Sequence, residues 1–149
     1  MRSLLISLIS LSALCAYAGD NSTEVRIKGS STVIYIDQIG SGNTARVWCG
    51  ISEGTYTTHN CSNATIDIDQ DGTGNTARAY SQVANHTGNE YKIDQDGNDN
   101  FGYIDADDDS NDMDIIQNGN DNDAEIYMQG DDNVYKITQT GDDKEGEIR

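Results

Sequence analysis

The chain has 149 residues, of which 35% are hydrophobic and 23% charged, and its 26 acidic and 9 basic residues leave a formal net charge of −17. A chain this acidic repels phosphate groups, which argues against nucleic acids and anionic membrane surfaces as partners. With one Phe and one Trp it cannot fill a large conventional core, so an ordered structure requires a repeat whose thin layers stack.

Residues 1–18 have the features of a secretory signal peptide. Arg2 gives a basic start, residues 3–14 are mostly apolar, and Ala16-Tyr17-Ala18 matches the small-x-small cleavage pattern. The apolar stretch is too short to span a membrane as a helix. The alternative is a lipoprotein lipidated at Cys15, but Leu14 occupies the position before the Cys where a small residue is expected. Cleavage after Ala18 removes Arg2, so the formal charge of the mature chain becomes −18.

Two cysteines, Cys49 and Cys61, remain after this cleavage. An even number of cysteines in an exported protein indicates a disulfide, which here would close a short loop. His59 alone is a poor third ligand, so the pair does not make a zinc site. We therefore expect a disulfide and neither a metal nor a cofactor.

From residue 32 to 149 the sequence repeats with a period of 22 residues and a half-period of 11. Each full unit has a Gln followed two positions later by a Gly. The glutamines are Gln38, Gln70, Gln95, Gln117 and Gln139, and the glycines are Gly40, Gly72, Gly97, Gly119 and Gly141. The half-period is marked by Asn43, Asn75, Asn89, Asn100, Asn111, Asn122 and Asn133. Two insertions interrupt the frame, about ten residues near 49–63 and about three within 83–88.

Residues 19–31 precede the repeats and fit the same frame as a degenerate half-rung. Its frame positions are Asn21, Thr23, Val25 and Ile27. At the other end of the chain the last unit runs in frame to Ile148 without a folded cap. Because solenoids that stay monomeric need terminal caps, this end favours assembly.

Each 11-residue unit predicts seven strand residues and a four-residue turn. Residues at 0, +2, +4 and +6 from the Asn-like position share one face, and +4 is always Ile, Val or Ala. The intervening positions are mostly polar, which is typical of strands with one solvated face. One half of each unit carries large Ile and Gln, the other small Ala or Gly, so two sheets can interdigitate. We therefore predict an all-β, amyloid-like, two-sheet β-solenoid of strand-turn-strand rungs, stacked about 4.8 Å apart.

The inward Asn and Gln side chains predict polar ladders along this stack. A buried amide is unfavourable unless it is hydrogen-bonded, and a regular stack lets each side-chain amide bond to its copy in the next rung. The turn glycines supply backbone with positive φ. We therefore take the Gln and Asn columns as the candidate assembly site.

The repeat resembles the curlin repeat, [S/N]-x5-Q-x-G-x-G-N-x-A-x3-Q. The resemblance is strongest in "TVIYIDQIGSGNTARVWC" and "ATIDIDQDGTGNTARAYSQ" and covers five copies from Thr32 onward. The family's second Gln is missing, since Cys49, Ser81, Ala106 and Met128 hold its place. The family's Gly-rich export segment is replaced by the short segment 19–31.

This resemblance implies a secreted subunit, major or minor, of an extracellular amyloid fibre at the bacterial cell surface. The implied partners are other copies of the chain, a second curlin-like subunit, and export and assembly accessory proteins. The implied role is adhesion and biofilm matrix.

The acidic turns suggest an alternative, a soluble monomeric solenoid that binds cations such as calcium or a surface. Runs such as "DGNDN" and "DDDSND" supply oxygen ligands, but they match neither the nine-residue calcium solenoid nor the EF-hand loop. For catalysis, no pair of carboxylates stands out, and no Ser-His-Asp or Cys-His arrangement is visible. We expect a structural protein and no enzyme.

Overall fold

A computed structural model describes residues 10–17, 19–27, 30–48, 61–80, 86–106 and 108–149. The named elements in these ranges are all β-strands. They are β1 (Ser10–Tyr17), β2 (Ser22–Val25), β3 (Val33–Ser41), β4 (Thr44–Val47), β5 (Cys61–Ser62), β6 (Thr65–Thr73), β7 (Thr76–Tyr80), β8 (His86–Thr87), β9 (Glu90–Asn98), β10 (Phe101–Asp105), β11 (Asp112–Asn118) and β12 (Val134–Thr140).

Two parallel sheets face each other across the core. Sheet A has six strands in the order β1-β3-β6-β9-β11-β12, and sheet B has four in the order β10-β7-β4-β2. Sheet B continues beyond β10 through residues 122–128 and 144–149, which bond in parallel to the rung before them at Phe101–Asp123 and Asp123–Glu145. One strand of sheet A, a turn and one segment of sheet B make one rung. The predicted all-β solenoid is confirmed.

The strand register reproduces the repeat frame of the sequence. Gln38 and Gln70 are 32 positions apart, Gln70 and Gln95 are 25 apart, and Gln95 and Gln117 are 22 apart. The first two spacings exceed 22 by ten and three, which are the lengths of the predicted insertions. Residues 49–60 and 81–85, which include most of both insertions, lie outside the described ranges. The insertions therefore leave the pairing of the strands in frame.

The core is narrow because large side chains of sheet A face small ones of sheet B. From sheet A the buried residues include Ile34, Ile66, Ile68, Ile93, Met113 and Ile115, and from sheet B they include Ala45, Ala77, Ala79, Gly102 and Ala124. A Cβ atom added to Gly102 would lie 3.1 Å from Cγ2 of Ile93. The small half of the repeat thus makes room for the isoleucines of the other half.

The turns between half-units use left-handed backbone at one fixed position. The residue before each Asn-like position has a positive φ at Ser31, Gly42, Asn63, Gly74, Gly88, Asp99, Ser110, Asp121, Asp132 and Asp143. Gly, Asn and Asp adopt this conformation at the lowest energy. The Asp-rich turns therefore have a conformational role beside their charge.

A short third ladder lies at one corner of the solenoid, where β5 pairs with β8. The sequence did not predict it, because the insertions next to both strands hide their pairing. The structure also shows β1, within the predicted signal peptide, as a parallel neighbour of β3. The removal of residues 1–18 stays a prediction. Among the described residues no helix is long and apolar enough to cross a membrane.

Candidate functional site: polar ladders and end faces

The glutamine ladder is continuous through the core of the solenoid. Each side chain except that of Gln139 in the last rung donates an Nε2 hydrogen to Oε1 of the glutamine in the next rung. The distances are 2.9 Å from Gln38 to Gln70, 2.8 Å from Gln70 to Gln95, 2.8 Å from Gln95 to Gln117 and 2.9 Å from Gln117 to Gln139. All five side chains are buried. Every bond points the same way, so the ladder has a polarity along the solenoid axis.

The same amides also bind sheet A to sheet B. Gln70 Nε2 donates to the backbone oxygen of Thr44 at 3.2 Å, and Gln95 Nε2 donates to that of Thr76 at 3.1 Å. Each glutamine therefore satisfies at least one backbone carbonyl outside sheet A as well as its neighbour in the ladder. Replacing one leaves several buried polar groups without partners.

The asparagines form two columns, in which each Oδ1 also accepts a backbone N–H group that the prediction did not include. Asn75 N–H donates to Oδ1 of Asn43 at 3.0 Å, and Asn111 N–H donates to Oδ1 of Asn89 at 2.9 Å. The same bond recurs down both columns, from Asn100 to Asn75, Asn122 to Asn100, and Asn133 to Asn111. The predicted bond from a side-chain amide to its copy is also present in one column, from Asn100 Nδ2 to Asn75 Oδ1 at 3.2 Å and from Asn122 Nδ2 to Asn100 Oδ1 at 3.0 Å, whereas the bonds to backbone N–H groups were not predicted. The shorter Asn side chain keeps Oδ1 close to the backbone, where it accepts from the next N–H.

The ladder glycines lie where the backbones of neighbouring rungs come closest. A Cβ atom added to Gly40, Gly72, Gly97 or Gly119 would overlap the carbonyl oxygen of the glycine in the next rung. All of these positions also have positive φ. At Gly141, in the last rung, the nearest atom to such a Cβ is Lys144 Cε at 3.8 Å. Glycine is therefore required inside the stack for space, and at Gly141 only for backbone conformation.

A further ladder runs along the turns, and the sequence reasoning missed it. Asn98 N–H donates to Oδ1 of Asn120 at 3.1 Å, and Asn120 N–H donates to Oδ1 of Asp142 at 2.8 Å. At the opposite corner, Asp109 N–H donates to a carboxylate oxygen of Asp131 at 2.9 Å. The recurrence of Asn or Asp at a spacing of 22 residues was the available signal. These turn carboxylates accept backbone N–H groups rather than facing solvent alone.

An acidic column lies on the outer face of sheet A. Asp37, Asp69 and Asp94 are in register across β3, β6 and β9. Partial burial raises the pKa of Asp69, and Asp94 and Asp37 on either side raise it further. Like charges in adjacent strands thus oppose the stacking that the ladders favour.

The outer face of sheet B carries aromatic and charged columns. The rings of Trp48 and Tyr80 stack with their centroids 4.3 Å apart. The Arg26 guanidinium lies 5.4 Å from the centre of the Trp48 ring, and Arg78 lies 5.3 Å from that of Phe101. These rings pack against neighbours within the sheet surface.

The last rungs of sheet B present a group of acids. Burial raises the pKa of Asp123, with Glu125 and Glu145 raising it further. No three His, Cys, Asp or Glu residues within the described ranges lie close enough to hold a metal ion. Cys61 is buried and disulfide-bonded, while its predicted partner Cys49 lies outside the described residues. The assignment of that pair stays a prediction.

In-register parallel strands joined by buried amide ladders define a class, the parallel β-solenoid with a cross-β stack. Residues 109–141, which contain β11 and β12, match the family model of the curlin associated repeat. The predicted resemblance is thus confirmed over this range, and the match supports assignment of the chain to the curlin-repeat family. No curated protein matches the chain. Family and fold together point to a structural protein similar to a curli subunit.

Proposed function

We propose that the chain is a secreted structural subunit that assembles end to end into an extracellular, curli-like amyloid fibre. The fibre would lie at the bacterial cell surface and serve adhesion and the biofilm matrix. Its partners are further copies of the chain, a second curlin-like subunit, and accessory proteins for export and assembly. The curlin repeat supports the family part of this proposal.

One observation carries the assembly step. The edge formed by β12 and residues 144–149 offers a new copy the same groups that each inner rung offers its neighbour. Gln139 Nε2 donates to the backbone oxygens of Asp123 and Lys144, as Gln117 Nε2 does to those of Phe101 and Asn122 beside its ladder bond, so it lies where it can also donate to a glutamine of a new copy. Gly141 leaves the space that a neighbouring glycine carbonyl fills between inner rungs. Unpaired strand edges of this kind are templates for another strand. We call this edge the C-terminal end face.

The test is direct incubation of the purified chain from Gly19 onward. We expect a concentration-dependent rise in thioflavin fluorescence, unbranched fibres in electron micrographs, and a meridional reflection at about 4.8 Å in fibre diffraction. Seeding with preformed fibres should remove the lag. A chain that remains monomeric in sedimentation at all concentrations would contradict the proposal.

A further inference from the structure

We propose that residues 19–27 form an internal cap that occupies the binding position of a second copy's residues 144–149. In this proposal two copies join through β3 and β4 of one and the C-terminal end face of the other, after the cap is displaced. The inference rests on the proposed function and specifies the interface of the fibre. Its partner is a second copy of the same chain.

The position of β2 in the stack is the first argument. β2 pairs in parallel with β4, with Ser22 opposite Thr44 and Val25 opposite Val47. In the chain that includes residues 1–18, β1 covers β3 in the same way. The predicted cleavage removes β1 and leaves β2, so sheet B then extends one strand beyond sheet A. The end of the mature solenoid is therefore a step.

A step cannot join the flush C-terminal end face without a gap. If residues 144–149 of another copy packed on β2, β12 would lie two strand spacings from β3, and one strand of sheet A would be missing. If β2 leaves, β12 packs on β3 while residues 144–149 pack on β4, and both sheets continue. The second register also places Gln139 beside Gln38 and Gly141 beside Gly40.

The sequences of the two half-rungs are the second argument. The run Glu24-Val25-Arg26, in which the exposed Val25 lies opposite the buried Val47, recurs as Glu147-Ile148-Arg149. In both half-rungs the Arg and Glu side chains form an ion pair. At these three positions the cap thus presents to β4 side chains of the same kind that a second copy would present.

The side-chain contacts of the cap are the third argument. The Thr23 hydroxyl donates to Oε1 of Gln38 at 2.7 Å, which is the acceptor that Gln139 Nε2 of another copy would use. Arg26 lies over Trp48, which is where Arg149 of the other copy would lie. Asn21 Oδ1 accepts the N–H of Asn43 at 2.9 Å, a bond that is lost on displacement. The cap therefore satisfies the groups that assembly uses, and its release opposes the first step.

The two possible registers, with the cap kept in the interface or with the cap displaced, bring different charges together. With the cap in place as part of the interface, Glu147 would face Glu24 and Arg149 would face Arg26. With the cap displaced, Glu147 faces Arg46 and Arg149 faces Trp48. Opposite charges on neighbouring strands attract, and like charges repel. The displaced register is favoured in both columns.

A charge reversal at Glu147 tests this by the sign of its effect. Under the proposal Glu147→Arg places two arginines opposite each other, and the lag of assembly lengthens about two- to fivefold relative to the control. If β2 stays in the interface, the new arginine faces Glu24 and the lag shortens. The control is Glu145→Arg, which makes the same change in net charge and faces Ser22 or Thr44. A Glu147→Arg lag equal to or shorter than that of the control overturns the inference.

A second variant weakens the cap without touching the C-terminal end face. Thr23→Val keeps the side-chain shape and removes the bond to Gln38, so the cap is released more readily and the lag shortens. The control is Ser22→Ala, an outward side chain on the same strand. A longer lag for Thr23→Val overturns the inference, because the half-rung would then belong to the interface. Absence of fibres from the wild-type chain would instead contradict the proposed function itself.

Discussion

Gln95 donates its side-chain amide to Oε1 of Gln117 at 2.8 Å, although the two residues are 22 positions apart in the chain. This bond exists only when the rungs are stacked in register. It therefore couples each amide to the global order of the solenoid rather than to any local turn.

Replacing a ladder glutamine should weaken the stack. We expect Gln95→Leu and Gln117→Leu each to lower the free energy of unfolding by about 1–3 kcal/mol for every amide or carbonyl left without a partner, and to slow assembly. Urea unfolding of the monomer and the lag of thioflavin fluorescence measure the two effects. Gln129→Leu, at an exposed position outside the ladder, is the control. Unchanged stability and kinetics in both ladder variants would refute the role of the ladder.

Substitutions in the column of ladder glycines should distinguish effects on folding from effects on assembly. Backbone strain alone should lower the free energy of unfolding of Gly119→Ala by about 1–3 kcal/mol. We expect a larger loss, because the added Cβ would also overlap the Gly141 carbonyl. In the monomer, Gly141→Ala should lower the free energy of unfolding only by the backbone strain. In assembly, the added Cβ should block the addition of the next copy. Circular dichroism on heating reports the first effect and seeded fibre growth the second.

Gly88→Ala is the matched control for this series. Its φ is also positive, and the added Cβ would lie 3.6 Å from Ser110 Oγ, an ordinary contact. We expect Gly88→Ala to lower the stability of the monomer through backbone strain and to leave seeded fibre growth unblocked. Seeded growth of Gly141→Ala at the rate of Gly88→Ala would contradict the proposed end face.

The disulfide at Cys61 should be intramolecular. We expect mass mapping of non-reduced peptides to join Cys61 to Cys49, and reduction to lower the free energy of unfolding by at most about 3 kcal/mol. Dimers linked through Cys49, or a bond from Cys61 to any other cysteine, would refute this assignment.

Asp69 should make the folded chain more stable in acid than at neutral pH. Its pKa is raised in the folded state, so the folded state binds a proton more tightly than the unfolded chain does. The stabilisation is present below the unfolded pKa of about 3.9 and is lost as pH rises through the raised value. Asp69→Asn should remove this pH-dependent loss of stability, so we expect the variant to be more stable than the wild type at pH 7. Urea midpoints from pH 4 to 7 test it, with Asp132→Asn, a turn residue outside the column, as control.

Assembly should respond to pH in the same direction. Stacked copies bring outward carboxylates together, so their pKa values should rise on assembly and the fibre should take up protons. The fibre then gains stability as pH falls towards about 4 to 5, and added salt acts likewise at neutral pH by screening. The lag should shorten under both conditions. A lag that lengthens in acid, or that ignores salt at pH 7, would mean that charge does not restrain assembly.

The sequence predicted most of the fold because one frame governs both sheets. The alternation of Ile with polar residues gave the inward faces, and the Gln-x-Gly spacing gave the rungs and the lengths of both insertions. The bonding of Asn75 to a backbone N–H was not predictable, because it depends on the rise between rungs and on the short Asn side chain. The turn ladder through Asn120 and the pairing of β5 with β8 were missed because turn residues and insertions look solvated in a sequence.

The five rungs from β3 to β12 span about 24 Å at about 4.8 Å per rung. Spread over that length, the formal charge of −18 of the predicted mature chain gives a fibre one negative charge per about 1.3 Å of axis, compared with about 1.7 Å in double-stranded DNA. Such a filament is a polyelectrolyte dense enough to condense counterions. Cations would then gather along its whole length without any coordinating site, and the fibre would act as a reservoir of exchangeable ions around the cell.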